Sequence, residues 1–272
     1  MTAEAATSGH GHCVIVTGAG SGIGRAIALR FARADDTVVV ADVDEARATE
    51  VDAEIRAAGG SSLAVQADVT AGDAVRRMVE TSLDVAGRVD VLVNNAGLAV
   101  ADGVLETDEK AWQRELDLNL KGPFLCTKAV LPAMIERGSG AIVNIASVNG
   151  LAFFANEAYS AAKAGLINLT QSVAVRYGQL GIRANAIAPG TIRTPRWQER
   201  LDKDPAIFDR LVKWYPLGRV GEPDDIAAAA FFLASEDASW ITGSVMRVDG
   251  GLLAGSARMA RELVAHAAGE DL

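Results

Sequence analysis

The chain of 272 residues is nearly free of cysteine and histidine. Its two cysteines, Cys13 and Cys126, stand far apart in apolar stretches. That argues against a disulfide framework or a structural zinc site and fits a reducing compartment. The three histidines (His10, His12 and His266) lie near the ends, so no bound metal is expected. Positive charge is in deficit too. The net charge is −9 and the sequence pI about 4.9, a surface that repels phosphate backbones and speaks against a nucleic-acid partner. The longest apolar run, Ile226 to Ala234, falls short of the roughly 20 residues that span a bilayer, so no membrane partner is expected. Residues 1–11 lack the basic and apolar regions of a secretory signal and are expected to be the flexible end of a cytoplasmic protein.

What is present is ordinary for a globular fold: 50% hydrophobic residues, 22% charged, 27 Gly and only 7 Pro. A chain of this length is expected to form one domain with a core that needs no disulfides. Short β-branched runs alternate with longer helical patterns. The expected strands are Cys13–Thr17, Thr37–Ala41, Ser62–Ala67, Val89–Val93, Ala141–Ala146, Ile182–Ala188 and Ser244–Val248. Several are continuously apolar, which indicates a sheet buried on both faces and therefore parallel. Helices are expected near Ile23–Ala34, Asp44–Ala58, Ala71–Ala86, Asp108–Glu136, Glu157–Gln179 and Pro223–Ala234. Thr107 and Asp44 fit as N-caps, and Pro223 fits the first helical position. This repetition predicts a doubly wound α/β fold. Residues 191–221 carry no clear element and read as a functional lid.

The first strand runs into Thr17-Gly18-Ala19-Gly20-Ser21-Gly22-Ile23-Gly24. Glycines let the backbone approach a pyrophosphate, and the following helix N-terminus offers unpaired N–H groups and partial positive charge. The spacing departs from the strict G-x-G-x-x-G pattern, and a glycine turn alone is a weak sign. Asp42 ends the second strand, where a carboxylate accepts both ribose hydroxyls of an adenosine. The same charge repels a 2′-phosphate, and neither Ser21 nor Val43 beside it compensates, so NAD is expected over NADP. Asp68 and Val69, after the third strand, are placed to hold the adenine edge.

Asn94-Asn95-Ala96-Gly97 ends the fourth strand and Ser147 follows the fifth, both at the carboxyl edge where ligands of open α/β sheets bind. Tyr159, one of only three tyrosines, stands four residues before Lys163 on a predicted helix, so the two share a face. A phenol serves as a base at neutral pH only if its pKa falls by about three units, or roughly 4 kcal/mol. A nearby ammonium and a positive nicotinamide ring can supply that, and a serine hydroxyl can hold the substrate oxygen.

From about Gly11 to Leu253 the sequence resembles the classical short-chain dehydrogenases/reductases. The matching residues are Thr17, Gly18, Gly22, Gly24, Asp68, Asn94 to Gly97, Asn119, Ser147, Tyr159, Lys163, Pro189, Gly190, and the stretches Ile241-Thr242-Gly243 and Val248-Asp249-Gly250-Gly251. The resemblance implies a single-domain Rossmann fold over residues 1–272, with a seven-stranded doubly wound parallel sheet and helices on both faces. It implies Tyr159 as general acid/base and Ser147 as the orienter of the carbonyl or alcohol. Lys163 would bind the nicotinamide ribose and lower the tyrosine pKa, and Asn119 would hold a water linking Lys163 to solvent. The cofactor would rest on Gly18, Ser21, Gly22, Ile23, Gly24, Asp42, Val43, Asp68, Val69, Asn95, Ala96 and Gly97. Its nicotinamide end would meet Tyr159, Lys163, Pro189, Gly190, Ile192 and Thr194. Such enzymes are typically homotetramers.

Substrate choice is expected in the loop after Ser147, at Asn149 and Phe154, and in the lid, at Arg196 and Trp197. From Arg193 to Tyr215 six basic residues face four acidic ones, which hints at a polar or anionic substrate, although solvated charges on an amphipathic lid helix are the plainer reading. Trp197, Trp214 and Tyr215 either pack on a substrate or fasten the lid. The leading expectation is NAD-dependent hydride transfer with a small polar secondary alcohol or its ketone, sugar- or polyol-like. The alternatives are a 3-oxoacyl reductase of carrier- or CoA-linked chains and a non-catalytic dinucleotide sensor. Residues 255–272, with Met259, Leu263 and Val264 at helical spacing beside Arg258 and Arg261, either reach a neighbouring subunit or form a solvated tail.

Overall fold

Alternate residues of the first strand feed opposite sides of one sheet: Val14 and Val16 join one buried cluster, Cys13 and Ile15 the other. A strand buried on both faces has no room for polar alternation, which is why its sequence runs continuously apolar. The computed structural model describes residues 11–100, 103–256, 259, 260, 262 and 263. The expectations for residues 1–10 and for Arg258, Arg261 and Val264 lie outside them; Met259 and Leu263 are exposed.

Among the described residues seven strands form the sheet: β1 (Cys13–Thr17), β2 (Thr37–Asp42), β3 (Ser61–Gln66), β4 (Val91–Asn94), β5 (Gly140–Ile145), β6 (Ile182–Pro189) and β7 (Val245–Val248). Their order is β3-β2-β1-β4-β5-β6-β7 and every pairing is parallel. The winding reverses between β1 and β4, which opens a crevice at the carboxyl ends of those strands. The helices are α1 (Gly22–Ala32), α2 (Glu45–Ala57), α3 (Gly72–Ala86), α4 (Glu109–Leu116), α5 (Gly122–Arg137), α6 (Glu157–Tyr177), α7 (Gln198–Lys203), α8 (Ile207–Val212) and α9 (Pro223–Ala234). Ile27 and Phe31 of α1, Val51 of α2 and Leu233 of α9 fill one side of the sheet. Met78 of α3, Val130 and Met134 of α5 and Val173 of α6 fill the other. Among the described residues, no helix is long and apolar enough to cross a membrane.

Asp44 caps α2 as expected, accepting from the N–H groups of Ala46 and Arg47. Pro223 opens α9, where Glu222 and Asp225 form a reciprocal capping box. Three expectations need correction. The helix expected over Asp108–Glu136 is two α-helices joined by a π-helical segment, Asp117–Lys121. Its cap is Asp108, whose carboxylate accepts from Ala111 N–H at 2.7 Å, while the Thr107 hydroxyl donates to Gly103 O. The fourth strand starts two residues late, because Asp90 turns inward to accept from Cys13 N–H and Arg88.

Candidate active site

At the crevice the chain leaves β1 through Gly18 (φ +63°) and Gly22 (φ +53°), conformations that side chains with a Cβ rarely adopt. A Cβ on Gly18 would also sit 2.9 Å from Ala96 Cα. The turn is locked from β4: Asn95 Nδ2 donates to Thr17 O at 2.9 Å and Gly18 O at 3.1 Å. In return Thr17 Oγ1 accepts from the N–H groups of Asn95 and Ala96, both at 3.1 Å. Ser21, extended at the N-cap, makes no side-chain cap bond, so the first amides of α1 stay available to an anion.

Asp42 stands where expected. Its Oδ2 accepts from Gly20 N–H at 2.9 Å and its Oδ1 from Asp44 N–H at 3.0 Å. Those bonds aim the carboxylate at the rim and leave lone pairs for ribose hydroxyls. The flanking Val43 is exposed, and no positive charge adjoins Asp42 in sequence. The fold supplies one from α2, however: a Cβ on Gly20 would lie 2.7 Å from Arg47 Cβ. Arg47 pairs with Asp44 at 3.3 Å. Asp68 is exposed and bonds its own turn through Thr70, whereas Val69 is buried against Gly122, so only its backbone faces the rim. A tight glycine cradle, uncapped helix amides and a rim carboxylate fit a dinucleotide.

The side chains expected to react meet at the same edge. Two left-handed residues, Ala155 (φ +74°) and Asn156 (φ +61°), turn the chain into α6, and Asn149 Nδ2 holds Ala155 O at 2.8 Å. Asn149 N–H also donates to Ser147 Oγ at 3.1 Å. Asn149 thus shapes the loop that presents Ser147, and its amide is spent on the protein rather than left open to a substrate. Ser147 stands beside the Tyr159 phenol, near enough to pull its pKa down. Lys163 is buried with Nζ 5.5 Å from the centroid of the Tyr159 ring, and it donates to Ile145 O at 2.7 Å. Asn119 lies in the π-helical segment, its amide donating to Leu98 O (2.8 Å) and Glu115 O (3.0 Å) while Oδ1 accepts from Leu98 N–H (3.1 Å). A Cβ on Gly97 would fall 2.8 Å from Asn119 Oδ1 and 3.3 Å from Lys163 Nζ, so glycine is what lets these groups converge.

The electrostatics differ from the expected balance. Burial pushes the Tyr159 phenol above its ordinary pKa; the Ser147 bond and Arg196 pull it down, and Glu115 pushes it up. Burial also lowers Lys163 to about 7, so its ammonium is only partly charged at neutral pH. In the protein by itself, desolvation outweighs the Ser147 bond and Arg196.

Of the residues expected at the nicotinamide end, Pro189 closes β6 and Gly190 N–H donates to Val248 O at 3.1 Å. Thr194 rests beside Gly22. Ile192 turns its side chain into the core beneath α9, which leaves only its backbone at the rim. The lid is not structureless: α7 and α8 pack through Trp197, Phe208 and Tyr215. Trp197 packs at a tilt on Phe208 (ring centroids 5.3 Å apart), and the Tyr215 hydroxyl accepts from Thr191 N–H (2.9 Å) and donates to its Oγ1 (2.7 Å). These two aromatics fasten the lid, while Trp214 and Phe154 remain exposed. Arg196 reaches across the crevice to Gly97 O.

Sequence reasoning missed a buried brace beneath the site. Asn94 Nδ2 donates to Asn144 Oδ1 (2.8 Å) and Asn144 Nδ2 to Thr170 Oγ1 (2.8 Å), tying β4 to β5 and α6. Asparagines inside otherwise apolar strands were the available signal.

Residues 18–253 match a family model described as enoyl-(acyl carrier protein) reductase. The chain is 44% identical over 248 residues to an uncharacterized oxidoreductase of Schizosaccharomyces pombe, covering 90% of this chain and 92% of that protein. It is 43% identical over 242 residues to a 3-oxoacyl-(acyl-carrier-protein) reductase of Synechocystis, covering 88% and 96% respectively. A crystal structure of an oxidoreductase (short chain dehydrogenase/reductase family) from Burkholderia thailandensis superimposes with a TM-score of 0.87 at 43% identity, over 93% of this chain and 97% of that one.

Proposed function

The chain belongs to the short-chain dehydrogenase/reductase family and is an oxidoreductase of CH–OH groups, and on that premise we propose that it moves a hydride between NAD(H) and a small polar secondary alcohol or its ketone. The observation that carries the reading is the convergence of Ser147, Tyr159 and Lys163 beside the glycine turn, with Asp42 at the far end of the same rim. The nicotinamide supplies the hydride acceptor or donor.

The protein's part is to hold an oxygen and move a proton. Ser147 Oγ, fixed by Asn149 N–H, holds the substrate oxygen beside the phenol. Tyr159 carries the proton. With its pKa pushed up by burial, the neutral phenol is ready to donate to a carbonyl, the direction of ketone reduction. Alcohol oxidation needs the phenolate, which forms when added positive charge offsets desolvation. Lys163 contributes part of that charge, and its bond to Ile145 O holds it beside the ribose position. The rim carboxylate of Asp42 favours NAD, since a 2′-phosphate there meets a like charge.

The Synechocystis relative favours a second reading, a 3-oxoacyl reductase of carrier- or CoA-linked chains. Asp42 weighs against it, because biosynthetic reductases commonly use NADPH. A spectrophotometric screen of purified protein with NAD and NADP, over sugars, polyols, hydroxysteroids and hydroxyacyl thioesters, separates the two. Turnover of thioesters alone overturns the first reading. We also propose a cytoplasmic homotetramer. Both cysteines are free and buried, and Trp112 and Phe124 stay exposed along α4 and α5, where a partner subunit would cover them.

A further inference from the structure

Six cations lie between Arg193 and Tyr215, and five are engaged within the lid or with the cap of α9. Arg193 bonds Glu222 at 3.1 Å and lies 4.2 Å over the Phe208 ring. Arg200 lies 5.2 Å over Trp197 and Lys213 5.2 Å over Trp214. Lys203 pairs with Glu199 at 2.7 Å, and Arg210 pairs with Asp204. Arg196 differs. Its Nη1 donates across the crevice to Gly97 O at 3.1 Å, and among the described residues no carboxylate pairs with it.

The residues just before it rest on the opposite wall. A Cβ on Gly22 would lie 3.3 Å from Thr194 Cγ2 and 3.9 Å from Pro195 Cδ. Thr194 to Arg196 therefore spans the crevice from the glycine turn to the end of β4. An anion lying along the amides of α1 passes beneath that span. A guanidinium with five donors in a planar fork suits phosphate oxygens and loses little by leaving a single carbonyl. Burial lowers its pKa first of all, and its two titratable neighbours agree with a central position: Tyr159 at the reacting end and Arg47 at the adenosine end.

We infer that Arg196 is a cofactor residue rather than a substrate residue, a lid guanidinium that exchanges its bond to Gly97 O for the pyrophosphate of the dinucleotide and so couples lid closure to that anion. The inference rests on the dinucleotide reading above and adds to it. It moves Arg196 out of the expected substrate set.

The test is a calorimetric titration of full-length protein with NADH and with ADP-ribose, which carries the pyrophosphate without the nicotinamide. Arg196→Ala and Arg196→Gln should weaken both ligands by roughly tenfold or more, Arg196→Lys should recover part of the loss, and Arg200→Ala should change neither by more than about twofold. ADP-ribose should slow tryptic cleavage after Lys203 and Arg210 in the wild type and not in Arg196→Ala. Wild-type ADP-ribose affinity in Arg196→Ala and Arg196→Gln overturns the inference and returns Arg196 to a substrate role. A wild-type protein that binds neither NADH nor ADP-ribose overturns the dinucleotide reading itself.

Discussion

Lys163 lies over the face of Tyr159, its Nζ 5.5 Å from the ring centroid and bonded to Ile145 O at 2.7 Å. The ammonium is therefore near the phenol but enclosed by protein, and burial acts on both groups at once. It pulls Lys163 down to about 7 and pushes Tyr159 up. At neutral pH the phenol is therefore neutral and the ammonium only partly charged.

The buried lysine carries a stability cost that activity must justify. Its folded pKa of about 7 lies below the ordinary 10.5, so the unfolded chain binds more protons between those values and stability rises with pH across that window. The full span corresponds to at most about 5 kcal/mol. Lys163→Met should melt higher than wild type at neutral pH, with the difference shrinking toward pH 10, and should lose turnover. Denaturant unfolding at several pH values checks this; a pH-independent difference contradicts it.

If Tyr159 carries the proton, Tyr159→Phe keeps the ring and its packing while removing the hydroxyl. NADH affinity should stay within about twofold and kcat should fall by roughly 10²–10⁴. Stopped-flow and titration measurements on one preparation separate the two effects, and wild-type turnover refutes the assignment.

Cofactor choice should depend on Asp42 and Arg47 together. Asp42→Ala should narrow the NAD/NADP ratio of kcat/KM by about tenfold, because it removes a like charge and leaves Arg47 beside Gly20. Adding Arg47→Ala should reverse much of the gain for NADP. An unchanged ratio in Asp42→Ala places the choice elsewhere.

Asn95 should matter to cofactor binding without touching the chemistry. Its amide is the clamp on Thr17 O and Gly18 O. Asn95→Ala should cost about 1–3 kcal/mol of stability by leaving those carbonyls unpaired. It should raise KM for the dinucleotide more than it lowers kcat at saturation, which steady-state kinetics will show.

Much of this was legible in the residues because the strongest signals are local. Continuous runs such as Val38-Val39-Val40 announce a strand buried on both faces, and Asp44 and Pro223 announce their helix starts. What could not be read depends on contacts between distant segments. The π-helical segment at Asn119 accompanies side-chain bonds to Leu98, which no helical periodicity encodes. Arg47 reaches Gly20 only because α2 folds back on the glycine turn. Lys163 and Tyr159 share a helix face as expected, but their titration follows burial, which the spacing of four residues does not contain. Arg196 was visible as charge, whereas its aim across the crevice was not.

On the mechanism proposed above, Tyr159 is a proton carrier held neutral by burial until positive charge arrives. An ultraviolet difference titration of wild type against Tyr159→Phe, with and without NAD⁺, tests it directly. The phenol should titrate above its ordinary 10.0 in the protein alone and move below that value when NAD⁺ is bound. A phenol whose titration NAD⁺ leaves unchanged would contradict it.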